Sequence, residues 1–143
     1  MDQVTTSLPP GVLITPLKKI PNPKGNLFHL MKVTDPGYFG FGEAYITTIK
    51  FGEIKGWKKH FEMVLNLIVI CGEVKFFIYD ESLINTYSII LSRDNYNRLT
   101  IPAGYWVAFK GISDNENIVL NLASIEHDFE EAISVSIDSF SLN

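Results

Sequence analysis

The stretch KGWKKH brings Lys55, Lys58, Lys59 and His60 into one short segment. If the chain is extended there, Lys58 and His60 point to one face and Trp57 and Lys59 to the other. A lysine beside a histidine on an inward face can bind a phosphate and move a proton. Lysine is a compact anion-binding charge, and histidine titrates near neutrality. On spacing alone the same residues also fit a solvated basic edge strand, where lysines block edge-to-edge pairing.

A second stretch, IPAGYW, is a Pro-containing turn leading into an aromatic strand. Tyr105 and Trp106 could stack on a base or a sugar there, or fill the core. Other chemistries lack their residues. The three histidines, His29, His60 and His127, show no paired metal-ligand spacing, so no metal and no cofactor are expected. No serine occupies a GxSxG elbow, and no Gly-rich loop precedes a helix. Cys71 lies in an apolar run and reads as a small buried hydrophobe.

The elements that must position these residues read as strands. Short runs rich in β-branched and aromatic residues recur: GVLITPL, NLFHLMKV, EAYITTIKF, VLNLIVI, EVKFFIYD, TYSIILS, RLTIPA, YWVAFKG, NIVLNLAS and AISVSID. Turn signals such as DPG, CGE, PAG and SDNEN separate them. This spacing predicts an all-β sandwich or barrel. In EAYITTIKF, Ala44, Ile46, Thr48 and Lys50 share one side, and Tyr45, Thr47, Ile49 and Phe51 the other. Helix is limited to short turns at SRDNYNRL, with Ser92 as N-cap, and at HDFEEA.

The chain of 143 residues is 46 % hydrophobic, enough for one core and one domain over residues 1–143, of which 1–9 could be disordered. The net charge of −4 argues against a general nucleic-acid binder. Lys50, Lys55, Lys58 and Lys59 nevertheless cluster, which suits a small anionic ligand. A single cysteine fits a cytoplasmic location. The N-terminus lacks the apolar region of a signal peptide, and no apolar run is long enough to span a bilayer, so no membrane association is expected.

Taken in order, GNLFHL, GEIKGW, CGEVKFFIYD, LTIPAGYWVAF and ISDNENIVLNLASIEHD resemble the dTDP-4-dehydrorhamnose 3,5-epimerase family. The resemblance runs from about Pro10 to Asp128 and marks a short, divergent relative. It implies an all-β RmlC-like cupin jelly roll and a metal-free, cytoplasmic homodimer that exchanges N-terminal strands. The substrate it implies is a nucleotide-linked 4-keto-6-deoxy sugar, used in surface-polysaccharide synthesis. In that family a histidine takes a proton beside the ketone and a tyrosine returns one. A base and an acid on opposite ring faces invert a centre.

Carried over residue by residue, KGWK resembles the family's RGLH, with Lys55 at the arginine and Lys58 at the catalytic histidine. His60 follows two residues later. Val107 stands at a second family histidine and Asn121 near the family tyrosine. Lys24, in PKGNLF, stands at a phosphate-binding arginine, and Glu43 where the family often has glutamine.

Three functions follow. In the first, the protein is a sugar-nucleotide epimerase or isomerase. His60 would be its base, Lys58 a phosphate ligand or electrophile, and Tyr45 or Tyr105 a substitute acid; the alternation also allows Tyr45 to be core. Lys24, Lys50 and Lys55 would contact the anion, and Trp57, Asn66, Trp106 and Asn121 the sugar or base. In the second, the same pocket binds a nucleotide sugar or a partner enzyme without catalysis. A purely structural or assembly role is the third and least attractive reading.

Overall fold

A computed structural model describes residues 8–142. Twelve strands form it: β1 Leu13–Pro16, β2 Lys19–Ile20, β3 Leu27–Phe28, β4 Glu43–Thr48, β5 Ile54–His60, β6 Leu65–Cys71, β7 Glu73–Asp80, β8 Asn85–Ser92, β9 Asn97–Ile101, β10 Trp106–Gly111, β11 Ile118–Ala123 and β12 Ala132–Ser134. Two five-stranded antiparallel sheets face each other, ordered β1-β9-β6-β11-β4 and β12-β5-β10-β7-β8, with β2 and β3 as a separate hairpin. This is an all-β sandwich, as the strand spacing predicts, with the jelly-roll form that the family resemblance implies. Residues 1–7, most of the segment read as open to disorder, lie outside the described residues.

The main core lies between the sheets. Leu65, Leu67 and Val69 of β6 meet Val74, Phe76 and Ile78 of β7, with Leu99, Val107 and Val119 beside them. A second core lies on the outer face of the β12-β5-β10-β7-β8 sheet. There Trp57, Phe77, Trp106 and Ala108 pack against Val135, Ile137, Phe140 and Leu142 of the C-terminal segment. β7 and β10 are therefore buried on both faces, which is why EVKFFIYD and YWVAF read as nearly continuous apolar runs rather than alternating ones.

The outer face of the other sheet is covered differently. Arg98, fully buried, donates to the carbonyls of Leu30 and Pro36 at 2.7 Å each. Asn66 alternates away from Leu65 and Leu67 to the same outer face, where it donates to the Gly37 carbonyl and accepts from the Thr100 hydroxyl.

The two expected helical turns fare differently. At HDFEEA a 3₁₀ turn, Phe129–Glu131, forms with Asp128 as its N-cap. At SRDNYNRL there is none: the Ser92 hydroxyl accepts from the N–H of Asp94 and Asn95, closing a tight turn between β8 and β9. A side chain that caps a helix also closes a turn, and here the strand resumes at once.

Candidate functional site

A cavity of about 310 Å³ opens between the two sheets. That is the lower end of the roughly 300–1,000 Å³ range of small-molecule sites. Its floor is apolar, with Leu65, Leu67, Phe76, Val107, Phe109 and Val119. Its polar wall comes from β5 on one sheet, with Lys55, Lys58 and His60, and from β4 and β11 on the other, with Tyr45, Thr47 and Asn121.

Lys58 and His60 share the inward face as strand alternation predicts. Lys55 joins them for another reason. Val107 pairs with Lys58 and Phe109 with Lys55, so β5 carries one extra residue between those pairs. The bulge falls at Gly56 and Trp57 and reverses the alternation before it. A Cβ at Gly56 would lie 2.5 Å from the Cβ of Ala108, and the backbone there has φ +138, so glycine is the residue that fits. Lys55 then reaches across the sheets, donating to the Thr48 carbonyl at 2.7 Å and the Thr47 hydroxyl at 3.2 Å.

His60 is only 6 % exposed. Its backbone carbonyl accepts from Gly104 in the IPAG turn, at 2.8 Å. Its Nδ1 lies 2.5 Å from Oε1 of Glu131, which is itself 3 % exposed. The other oxygen of Glu131 accepts from the N–H of Met63 at 3.1 Å and of Glu62 at 3.3 Å. Burial pushes the Glu131 carboxyl up, but the hydrogen bonds from His60 and those two N–H groups outweigh it and hold the group below its ordinary value. The acid is thus an acceptor-only carboxylate, which puts the histidine proton on Nδ1 and a lone pair on Nε2. Burial likewise holds His60 below its ordinary 6.5, against the upward pull of Glu131, with the Lys58 charge adding to the depression. Neutral, oriented and on the cavity wall, the imidazole is in the form that accepts a proton.

Of the residues singled out from the sequence, the cavity brings together Tyr45, Lys55, Lys58, His60 and Asn121. It leaves out six others. Trp57 is fully buried on the opposite face of the sheet, and its Nε1 donates to the Ile137 carbonyl. Trp106 lies beside it and donates to Glu81. Both are core residues of the second cluster, because the C-terminal segment covers them. Asn66 holds the loop at Gly37, as described. The Tyr105 hydroxyl donates to the Pro10 carbonyl at 2.7 Å, tying down the chain ahead of β1 instead of entering the cavity. Lys24 stands on the β2–β3 turn and Lys50 on the exposed side after β4.

One residue of the site escaped the sequence: Glu131, whose only local signal is the Asp128 cap that sets the turn. Tyr45, one of the two tyrosines considered as a substitute acid, does line the cavity, and its hydroxyl accepts from Asn121 Nδ2 at 2.9 Å. Among the described residues, no three His, Cys, Asp or Glu side chains gather where they could hold a metal ion.

No protein-family model matches the chain, and no curated protein sequence does. Solved structures do. The chain is similar to a dTDP sugar isomerase from Desulfovibrio desulfuricans G20, with TM-score 0.86 and 27 % identity over 91 % of this chain and 87 % of that one. It is similar in fold to the sugar 3,4-ketoisomerase QdtA from Thermoanaerobacterium thermosaccharolyticum, solved with TDP, with TM-score 0.76 and 21 % identity over 88 % and 89 % of the two chains. It also shares the fold of a dTDP-4-dehydrorhamnose 3,5-epimerase from Elizabethkingia anophelis NUHP1, with TM-score 0.77 and 16 % identity over 94 % and 80 %. The jelly roll is therefore of the RmlC-like cupin kind.

Proposed function

We propose that this RmlC-like cupin is a divergent member of the dTDP-sugar isomerases and epimerases, and that it transfers protons on a nucleotide-linked 4-keto-6-deoxy sugar. The observation that carries this is the His60–Glu131 pair on the wall of a cavity about large enough for one sugar ring. A ketone acidifies the C–H bonds beside it. His60 Nε2 takes one such proton, the C–H electron pair moves toward the ketone oxygen, and an enolate forms. Glu131 holds the ring in place and stabilises the imidazolium that results. The Lys58 ammonium on the same wall offsets the enolate charge.

The apolar floor receives the deoxy methyl group. Lys55, tethered at Thr47 and Thr48, faces the diphosphate at the cavity mouth. The nucleotide lies outside, because the cavity does not hold both parts. This account assigns the base to His60 and not to the position where Lys58 stands. The protein would act in the cytoplasm, in a pathway that builds surface polysaccharide. It would act as a homodimer joined through its N-terminal strands; a monomer on gel filtration at micromolar concentration would contradict that last point.

Incubation with dTDP-4-keto-6-deoxyglucose, followed by NMR of the sugar, tests the assignment. A new isomer is the expected result. An unchanged sugar together with ligand-induced shifts in the protein spectrum would instead identify a binding module.

A further inference from the structure

Three residues form one row across the inward face of the β12-β5-β10 side of the cavity. Val107 of β10 and Ser134 of β12 both pair with Lys58 of β5, one on each flank. Direct cross-strand partners share a face, with Cβ atoms about 4.5–5.5 Å apart, and all three side chains line the cavity. The chemistry changes along the row. Val107 is apolar and 8 % exposed, Lys58 carries a cation, and Ser134, on the edge strand, carries an exposed hydroxyl. Other hydroxyl and amide groups of the cavity are engaged within the protein. Thr47 accepts from Lys55, while Asn121 accepts from the Asn66 N–H and donates to Tyr45. The Ser134 hydroxyl makes no hydrogen bond to another described residue, so it is left to donate to and accept from a ligand.

We propose that this row reads the substituents on both sides of the ketone, and that Ser134 is a specificity-determining residue for the hydroxyl next to it. This rests on the isomerase reading above and narrows its substrate class. In a 4-keto-6-deoxy sugar the ketone stands between two carbons of opposite character. One bears the deoxy methyl and the other a hydroxyl. With the methyl on the apolar floor at Val107 and the ketone oxygen at Lys58, the hydroxyl falls on the rim side, at Ser134. The reverse orientation sets the methyl against the serine and the hydroxyl against Val107, where it loses water and gains no partner. The row therefore fixes which way round the sugar enters. It also selects a sugar that keeps the hydroxyl beside its ketone over one in which that position is deoxygenated as well.

The test sets dTDP-4-keto-6-deoxyglucose against its 3-deoxy analogue, with kcat/KM for deuterium entry beside the ketone in D₂O as the readout. Wild type, Ser134→Ala and Ser134→Thr are compared on each sugar separately, so the intrinsic reactivity of the two ketones cancels. Ser134→Ala should lower kcat/KM about 3–10-fold on the first sugar, the worth of one hydrogen bond between neutral groups. It should leave the analogue unaffected, because the analogue has no hydroxyl at that position. Ser134→Thr keeps the hydroxyl and should keep the wild-type preference. An equal loss on both sugars is what a structural role produces, and it overturns the proposal. So does a Ser134→Ala protein that handles both sugars as wild type does. Wild-type protein that exchanges neither sugar overturns the isomerase reading itself, a result seen before any substitution is made and so distinct from the other two.

Discussion

Nδ1 of His60 and Oε1 of Glu131 lie 2.5 Å apart although 71 residues separate them in sequence. The contact exists because β12 pairs with β5, placing Ala132 opposite His60 and Glu131 just before it. The segment that supplies the acid continues into Phe140, which stacks on Tyr79 at 4.1 Å and packs against Trp57 and Trp106. Packing on the outside of the sheet thus holds the group that orients the histidine inside it.

Glu131→Gln should lower turnover by about 10²–10⁴-fold, the range for losing the orienting, charge-stabilising partner of a catalytic base. Because burial depresses the His60 pKa, the acid limb of the wild-type rate profile should fall below pH 6.5. The carboxylate pulls that pKa up, so Glu131→Gln should move the limb to lower pH still. A pH–rate profile of both proteins checks this; a limb that shifts upward would contradict it.

The same depressions make the fold acid-sensitive. The unfolded chain binds a proton at His60 and at Glu131 before the folded chain does. The stability they contribute is therefore complete above the ordinary values of 6.5 and 4.5 and is lost as pH falls through the lower, folded ones. Denaturant titrations from pH 8 to pH 4 should show this decline beginning near the ordinary histidine value. In His60→Asn the portion that begins there should disappear.

Trp57→Phe should destabilise the protein by roughly 1–3 kcal/mol, since it leaves the Ile137 carbonyl without its partner and opens space in the second core. It should leave KM nearly unchanged, because the ring faces away from the cavity. A KM increase without loss of stability would return Trp57 to the substrate site.

Much of this was legible in the sequence. The strands follow from β-branched runs between turn signals, and the shared face of Lys58 and His60 from alternation. What was not legible depends on contacts between distant segments. The aromatic side chains of Trp57 and Trp106 look like exposed sugar platforms until residues 132–142 are laid over them. Asn66 looks available until the loop at Gly37 is placed. Lys55 reaches the cavity only through the bulge at Gly56, which no periodicity announces.

Gly56→Ala should therefore act on both stability and binding. The added methyl meets Ala108 on a backbone that already favours glycine, at a cost of about 1–3 kcal/mol. Relief of that clash would move Lys55, so KM should rise with little change in turnover. Steady-state kinetics and a melting curve on the same sample decide it; unchanged KM would mean that Lys55 does not hold the diphosphate.

The central claim is that His60 removes a proton beside the sugar ketone. The direct measurement is deuterium entry into dTDP-4-keto-6-deoxyglucose in D₂O, comparing wild type with His60→Asn, which keeps a donor for buried Glu131, and with Lys58→Ala. The account predicts loss of a ring-proton signal beside the ketone in wild type, abolished in His60→Asn and only slowed in Lys58→Ala. Exchange that survives in His60→Asn but disappears in Lys58→Ala would move the base to Lys58 and contradict it.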